Sequence, residues 1–466
     1  MRIVFVALIV FCSFFATGAE RPNILFILAD DLGSHDVSWR GSDIKTPILD
    51  QLAFGGARLE QFYVQPVCSP TRAALLTGRY PMRHGLQVGV VRPWAQYGLP
   101  LDERTLPQAL REAGYVTGIF GKWHLGHNSP EYLPTQRGFD RQYGHYNGAL
   151  DYFEHTRDGG FDWHRDDKVC RDEGYSTFLV ADEAAKFIRA HDGKQPFFVY
   201  VPFNAVHAPL QAPEKYREPY SAIRFPNRRT YAAMTTAMDE SIGRIIAAVD
   251  ERGWRTNTLI IFSSDNGGPN PGRLTSNGPL RAGKGTVYEG GVKTCAFVNW
   301  PGHVKSNSVV NAPLHIVDFY PTLLGLAGAK LDQKLPLDGR DAWPAINSGA
   351  ASPHDAILIN ATPKKGALRM GDWKLVVNGG AVEPADGDDD AAPATAKAET
   401  KVIADGVELF NLAADPSEKN NVAADQAEVV KRLRARYDEF AKQQVAPKAA
   451  PKAKGFRVPK VWGEKE

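Results

Sequence analysis

Three short stretches of the chain are apolar without interruption. Residues 23–28 (Asn-Ile-Leu-Phe-Ile-Leu), 197–201 (Phe-Phe-Val-Tyr-Val) and 258–263 (Thr-Leu-Ile-Ile-Phe-Ser) have strand length and lack the apolar/polar alternation of a half-exposed strand. They predict strands covered on both faces, as in a parallel sheet. Between them the period changes to that of amphipathic helices over 106–113, 177–191 and 231–252. Strands alternating with helices predict an α/β domain whose sheet carries helices on both faces. Ligands of such sheets bind beyond the carboxyl ends of the strands. Asp30, His207 and Asp265 all follow predicted strands there.

The pattern changes near residue 355. Residues 367–370 and 373–377 read as strands joined at Gly371-Asp372, 407–412 as another strand, and 423–443 as a terminal helix. A small antiparallel sheet with one helix packed on it is expected. Between those strands, 384–401 is rich in Ala, Asp and Pro, has little to bury, and reads as a mobile insertion. The tail 447–466, with its repeated Pro-Lys, is expected to be extended and solvated. The predicted organisation is 1–19 leader, 20–354 catalytic domain, 355–446 C-terminal subdomain, 447–466 tail.

Composition narrows the picture. The 466 residues, 43% of them hydrophobic, suffice for one large core and a smaller unit. A formal net charge of +2 gives no sign of a nucleic-acid partner. Arg2, the apolar run 3–15 and the small residues 16–19 read as an export signal. That run is short for a membrane span of about 20 residues. No later segment reads as a span, so a periplasmic or secreted protein is expected. Cys12 would leave with the leader. Cys170 and Cys295 could pair in an oxidising compartment or remain two free thiols.

Chemistry concentrates in Pro66-Val67-Cys68-Ser69-Pro70-Thr71-Arg72. Pro70 suits a first helical turn, Ser69 an N-cap, and Gly78 a C-terminal stop. Cys68 would then lie at a helix N-terminus, where an anion is favoured, with Arg72 one turn on as a fork of donors for an oxyanion. Asp30-Asp31 and Asp265-Asn266 at two strand ends offer oxygen ligands without imidazole or sulfur. That selects a hard cation, Ca²⁺ or Mg²⁺, over zinc. Lys122 and His124, two apart, would face one way in extended chain.

The Cys68 segment resembles the signature of type I sulfatases, in which the cysteine of C-x-P-x-R is oxidised to formylglycine. Gly121-Lys122-Trp123-His124-Leu125-Gly126, Ser264-Asp265-Asn266-Gly267-Gly268 and Ala29-Asp30-Asp31-Leu32-Gly33 are sulfatase-like too, in the family's order. The similarity covers roughly 20–440, and 68–153 looks most like the arylsulfatase B group of N-acetylgalactosamine-4-sulfatases. One departure is Ala282, where the family usually has glycine.

The resemblance implies an alkaline-phosphatase-like fold: a large mixed sheet with helices on both faces, and a smaller C-terminal antiparallel sheet packed with a helix. It implies Ca²⁺ held by Asp30, Asp31, Asp265, Asn266 and the modified Cys68. Lys122 would bridge nucleophile and sulfate, and His124 would contact the formylglycine hydrate. His207 would bind sulfate and protonate the leaving oxygen, with Lys284 near the leaving group. A hydrated aldehyde offers two hydroxyls: one attacks sulfur, and loss of the other's proton expels sulfate. A maturation enzyme that generates formylglycine is an implied partner.

Asp151, His155, Arg157, Trp163 and His164 belong to a polar, aromatic segment suited either to a sugar ring or to an ordinary surface loop. Arg281 could be a substrate contact or a surface charge. His35, His84 and His315 read as structural. The expected activity is hydrolysis of sulfate esters of a sulfated saccharide, with 4-O-sulfated galactosamine or galactose, in a glycosaminoglycan or algal polysaccharide, as the first choice. The alternatives are a phosphate mono- or diester hydrolase of the same fold and a non-catalytic sulfated-glycan binder.

Overall fold

The structure is a computed structural model that describes residues 21–362, 364–380, 406–449 and 451–464. The expected leader and the expected insertion at 384–401 lie outside the described residues.

Strand Asn23–Ala29 is buried throughout. It pairs in parallel with Phe197–Pro202 on one side and Thr258–Ser264 on the other. Its alternate side chains separate two cores. Ile24, Phe26 and Leu28 join the helices Cys68–Thr77, Leu106–Glu112 and Phe319–Leu326. Leu25, Ile27 and Ala29 join Pro47–Phe54, Ser176–Ala190 and Pro226–Glu251 on the opposite face. A strand that is apolar at every position therefore has a helical layer on each side, as its sequence requires. Helix Pro226–Glu251 begins earlier than the apolar period suggests, because Pro226 supplies a ready first turn.

Among the described residues the sheet has ten strands. A parallel centre is flanked by antiparallel neighbours: Ala296–Asn299 on Thr258–Ser264, and His164–Arg165 on Arg141–His145. Strand Val116–Lys122, parallel to Phe197–Pro202, carries Lys122 to the same sheet edge as Asp30 and Asp265. The mixed sheet between helical layers, with a separate antiparallel sheet, is an alkaline-phosphatase-like fold.

The second sheet runs Ile357–Ala361, Gly366–Met370, Trp373–Val377 and Val407–Asn411, antiparallel throughout. Helix Ala427–Ala441 covers one face through Leu433 and Tyr437. The other face, with Ala367, Val376 and Phe410, packs on Tyr63, Val287, Tyr288 and Val292 of the large domain. A buried ion cluster crosses that seam. Lys374 Nζ lies 2.9 Å from both Glu289 and Glu418. Tyr63 donates to Glu289 at 2.9 Å, and the Glu289 amide donates to Glu418 at 2.6 Å.

The tail is exposed along most of its described length but is not free: the Trp462 indole is buried and donates to the Arg157 carbonyl at 2.9 Å. Cys170 and Cys295 are free thiols.

Replacing Lys374 with alanine leaves Glu418 buried on the seam without its cation, and Glu289 with only Lys293 at 3.8 Å. The variant should lose about 3–5 kcal/mol of stability in urea unfolding. A loss below about 1 kcal/mol would show that the cluster does not hold the seam.

Candidate active site

The pairing of Ala29 with Ser264 sets the next residues of both strands, Asp30 and Asp265, side by side. Both are fully buried, and Asp31 nearly so. Carboxylates this close repel unless cations answer them. Arg72 reaches Asp265 Oδ2 through Nε at 3.2 Å and Nη2 at 2.8 Å, and Nη2 is 3.4 Å from Asp30. Its remaining nitrogen, Nη1, donates to the Lys122 carbonyl at 3.1 Å. Lys122 Nζ meets Asp30 Oδ2 at 2.5 Å. Lys284 Nζ lies 2.9 Å from Asp31 Oδ1, and His207 Nε2 is 3.6 Å from Asp31 Oδ2.

Burial alone would raise the Asp30 carboxyl, but Lys122, His207, Arg72 and Lys284 together hold it well below the ordinary range. Burial and then Asp30 push Asp265 up instead, against the pull of Arg72 and Lys122. Lys284 keeps its proton despite burial because Asp31 and the other acids surround it.

Cys68 opens helix Cys68–Thr77, which ends at Gly78 in the left-handed region. Ser69 is not the N-cap. It lies inside the first turn, where its hydroxyl donates to the His124 carbonyl at 2.8 Å and accepts from the Val91 amide at 3.0 Å. The Cys68 sulfur is 3.5 Å from Asp30 Oδ1 and 3.6 Å from Asn266 Oδ1. Burial, with Asp265 and Asp30 nearby, raises its thiol well above the usual range. A thiol held protonated is a poor nucleophile.

Lys122 and His124 do not share an extended strand. Gly121 has φ +129° and His124 φ +59°, so the chain turns sharply across the motif. His124 is buried, and its imidazole stands directly over Gly148, where an added Cβ would come within 2.5 Å of the ring. Burial, then Lys122, Arg72, His207 and Lys284, depress its pKa well below the ordinary value, so it is neutral near pH 7. His207 donates through Nδ1 to the Ala208 carbonyl, 2.7 Å away, which leaves Nε2 facing the acids.

The donor set fits a hard divalent cation. Asp30, Asp31, Cys68 and His207 offer ligand atoms within 4.8 Å of one another. Asp265 Oδ1 accepts from the Asp31 amide at 3.3 Å, and the Asn266 amide group bonds Asp31 at 2.7 Å. Oxygen predominates, as calcium or magnesium requires.

The expected sugar-contact residues are placed differently. Trp163 is fully buried, stacked on His155 at 4.6 Å, and His164 is stacked on Tyr146 at 4.1 Å. His155 Nε2 lies 3.0 Å from the Gly174 carbonyl. Asp151 accepts from the Phe153 and Glu154 amides at 2.9 and 2.8 Å and so closes a turn. Arg157, mostly buried, gives its carbonyl to Trp462. Arg281 bonds Glu408 at 3.1 Å and lies 3.8 Å above the Tyr288 ring, which places it on the domain seam. Asp162, between Arg157 and Trp163, braces the segment behind His124: it accepts from the Tyr146 and Asn147 amides at 3.0 and 2.8 Å.

Sequence reasoning passed over Asn277 and Gly148. Asn277 accepts from the Ser34 and Gly268 amides and donates to the Gly268 and Ala282 carbonyls, tying three loops of the site together. Nothing in Ser276-Asn277-Gly278 distinguishes it from a turn. Ala282 has φ +60°, the left-handed conformation that favours glycine, so the glycine usual at this position has a backbone basis and the alanine adopts it at a steric cost.

The chain is also similar to known proteins. The family model described as Sulfatase matches residues 22–329. Arylsulfatase J of Mus musculus is 39% identical, over 93% of this chain and 78% of its own length. N-acetylgalactosamine-6-sulfatase of Mus musculus is 35% identical, over 72% of this chain and 68% of its own. The crystal structure of Ps i-CgsB in complex with k-i-k-neocarrahexaose superposes with a TM-score of 0.81 at 32% identity, covering 92% of this chain and 94% of that one.

Gly148→Ala should displace His124 without disturbing either core. Turnover of a sulfate ester should fall about 100-fold with KM little changed, as misplacing a reacting group by about 1 Å does. Unaltered kinetics would show that the imidazole's seat does not matter.

Proposed function

The chain belongs to the sulfatase family and is a sulfuric ester hydrolase of the arylsulfatase type; from that premise we propose that it removes sulfate from a sulfated carbohydrate with a formylglycine made from Cys68 and a bound Ca²⁺. The observation that carries the reading is the placement of Cys68. Its sulfur is buried at a helix N-terminus, within 3.6 Å of Asp30 and Asn266 oxygens.

Asp30, Asp31, Asp265 and Asn266 would hold the cation, which when bound polarises a sulfate oxygen. Formylglycine replaces a protonated thiol with an aldehyde carbon able to carry the attacking oxygen. Lys122 and Lys284 hold the sulfate oxygens and balance charge as the S–O bond breaks. His124, neutral and with Nδ1 unpartnered among the described residues, accepts a proton there. His207 presents Nε2 to protonate the leaving oxygen. Arg72 spends its donors on Asp265, Asp30 and Lys122, so it positions the metal ligands instead of gripping the ester.

The preferred substrate is 4-O-sulfated galactosamine or galactose within a longer saccharide. The likeness of 68–153 to the arylsulfatase B group supports the 4-O position, and a structural relative solved with k-i-k-neocarrahexaose supports a longer saccharide. Relatives named N-acetylgalactosamine-6-sulfatase favour the 6-O position as a second reading. Export fits the leader-like sequence at 1–19, and a formylglycine-generating enzyme would convert Cys68. No helix among the described residues is long and apolar enough to cross a membrane.

Mass spectrometry of the Cys68 peptide, from a host with the maturation enzyme, should show an aldehyde or its hydrate in place of the thiol. Cys68→Ala should fold and lose nearly all activity, and full activity would end the formylglycine reading. Sulfate release from 4-O- and 6-O-sulfated N-acetylgalactosamine and galactose, as monosaccharides and in oligosaccharides, decides the sugar. A clear 6-O preference would replace the 4-O assignment and leave the hydrolase reading intact.

A further inference from the structure

The chain's charges are nearly balanced overall, 55 Lys and Arg against 53 Asp and Glu, but its last segment is not. From 446 to 464 the described residues include Lys448, Lys452, Lys454, Arg457 and Lys460, all exposed, against the single acid Glu464. A free basic tail would be unremarkable, but this one is fastened at both ends. At its start the Val445 amide donates to the Met82 carbonyl at 2.9 Å and the Lys448 amide to Gly85 at 2.7 Å. At its end the chain pairs in parallel with Phe161, through Phe161 N to the Lys460 carbonyl and Trp462 N to the Phe161 carbonyl, both 2.9 Å.

Trp462 fills the gap below, with its ring edge-on to His127 at 5.4 Å. Gly463 follows with φ +84°, where a Cβ would strike the Tyr146 ring. Between these ends Lys452 lies over Trp94, its Nζ 5.3 Å from the ring.

Two of the anchors also adjoin segments of the site. His127 is three residues beyond His124, and the Tyr146 carbonyl accepts from the His124 amide at 3.0 Å. The 88–97 loop under Lys452 reaches Ser69, neighbour of Cys68, through the Val91 amide. Lys448 and Lys452 are therefore held against the 82–97 segment, which reaches the helix of Cys68 through Ser69.

We propose that residues 446–449 and 451–464 form a fixed cationic strap that binds further sulfate groups of a polysulfated polysaccharide while one of its esters occupies the Cys68 site. The proposal rests on the sulfatase reading and extends it from a single sugar to a polymer. Tethering matters: a docked row keeps its charges at one spacing, whereas a loose tail spreads them through solvent. Exposed Lys and Arg contribute little one by one, but an aligned set raises the local concentration of a polyanion and speeds its capture. Such an effect fades once salt shortens the screening length.

The test is a quadruple variant, Lys448→Gln, Lys452→Gln, Lys454→Gln and Arg457→Gln, which keeps Trp462 and every backbone pairing. With matured full-length protein, kcat/KM on a sulfated galactan should fall about 10-fold at low ionic strength, and the difference should close as salt rises. Turnover of a small monosulfated aryl ester should be unchanged. Unaltered polymer kinetics, or equal losses on polymer and aryl ester, would overturn the strap.

Binding is measured separately, by retardation in gels cast with the sulfated galactan or with single-stranded DNA. The variant should lose retardation by the galactan. Equal retardation of the parent by DNA, lost equally in the variant, would assign the strap to general polyanion binding and defeat the proposal. If the parent protein hydrolyses no sulfate ester yet is retarded by the galactan through these residues, the hydrolase reading fails and the strap stands.

Discussion

The structure depends most on the neutralisation of three carboxylates taken out of water together. Asp30, Asp31 and Asp265 lie at two adjacent strand ends, and an unanswered buried charge costs several kcal/mol. Arg72 comes from the helix over one face of the sheet, Lys122 from a neighbouring strand, and Lys284 from a distant loop. Each cation has to be delivered by a different element, so the helix, the strand and the loop are constrained by the same few oxygens. The parallel centre of the sheet is what brings those elements to one edge.

Much of this was legible in the chain. Runs without polar alternation gave the central strands, since only a strand covered on both faces can afford them. The acids after those runs, and Cys68 with Pro70 and Arg72, marked the site through residue chemistry and resemblance. Conformation was less legible. The turn at Gly121 and His124, the place of Ser69 inside the helix and the role of Asn277 depend on what packs against them, which no local pattern records. Trp163 and His164 looked like surface aromatics because their segment is polar, yet stacking on His155 and Tyr146 takes them inside. Trp462 went unnoticed because one aromatic in a Lys- and Pro-rich tail is a weak signal until its cavity is seen.

The C-terminal sheet has a part in the site although it offers no reacting group. Its inner face packs on Tyr63, Val287, Tyr288 and Val292, and Lys374 grips Glu289. Arg281, Ala282 and Lys284 lie on the same loop, whose Gly285 amide donates to the Pro66 carbonyl at 2.9 Å. The position of Lys284 beside Asp31 is thus set jointly by the two sheets. Ala282, in a left-handed conformation, is held there by neighbours on both sides.

The burial of Cys68 has a consequence for the order of events in the protein's life. Its side chain is 1% exposed, at the floor of a site closed by a helix, several loops and the charges themselves. No enzyme-sized catalyst can reach that sulfur in the folded chain. Any enzymatic change there must come while residues 66–72 are still an open peptide, so it races against collapse of the central sheet. A molecule that folds first is sealed in its unconverted form, and only unfolding would give it a second chance. The yield of converted protein is then a matter of timing, set by how long the nascent chain stays open beside the catalyst and not by the stability of what it becomes.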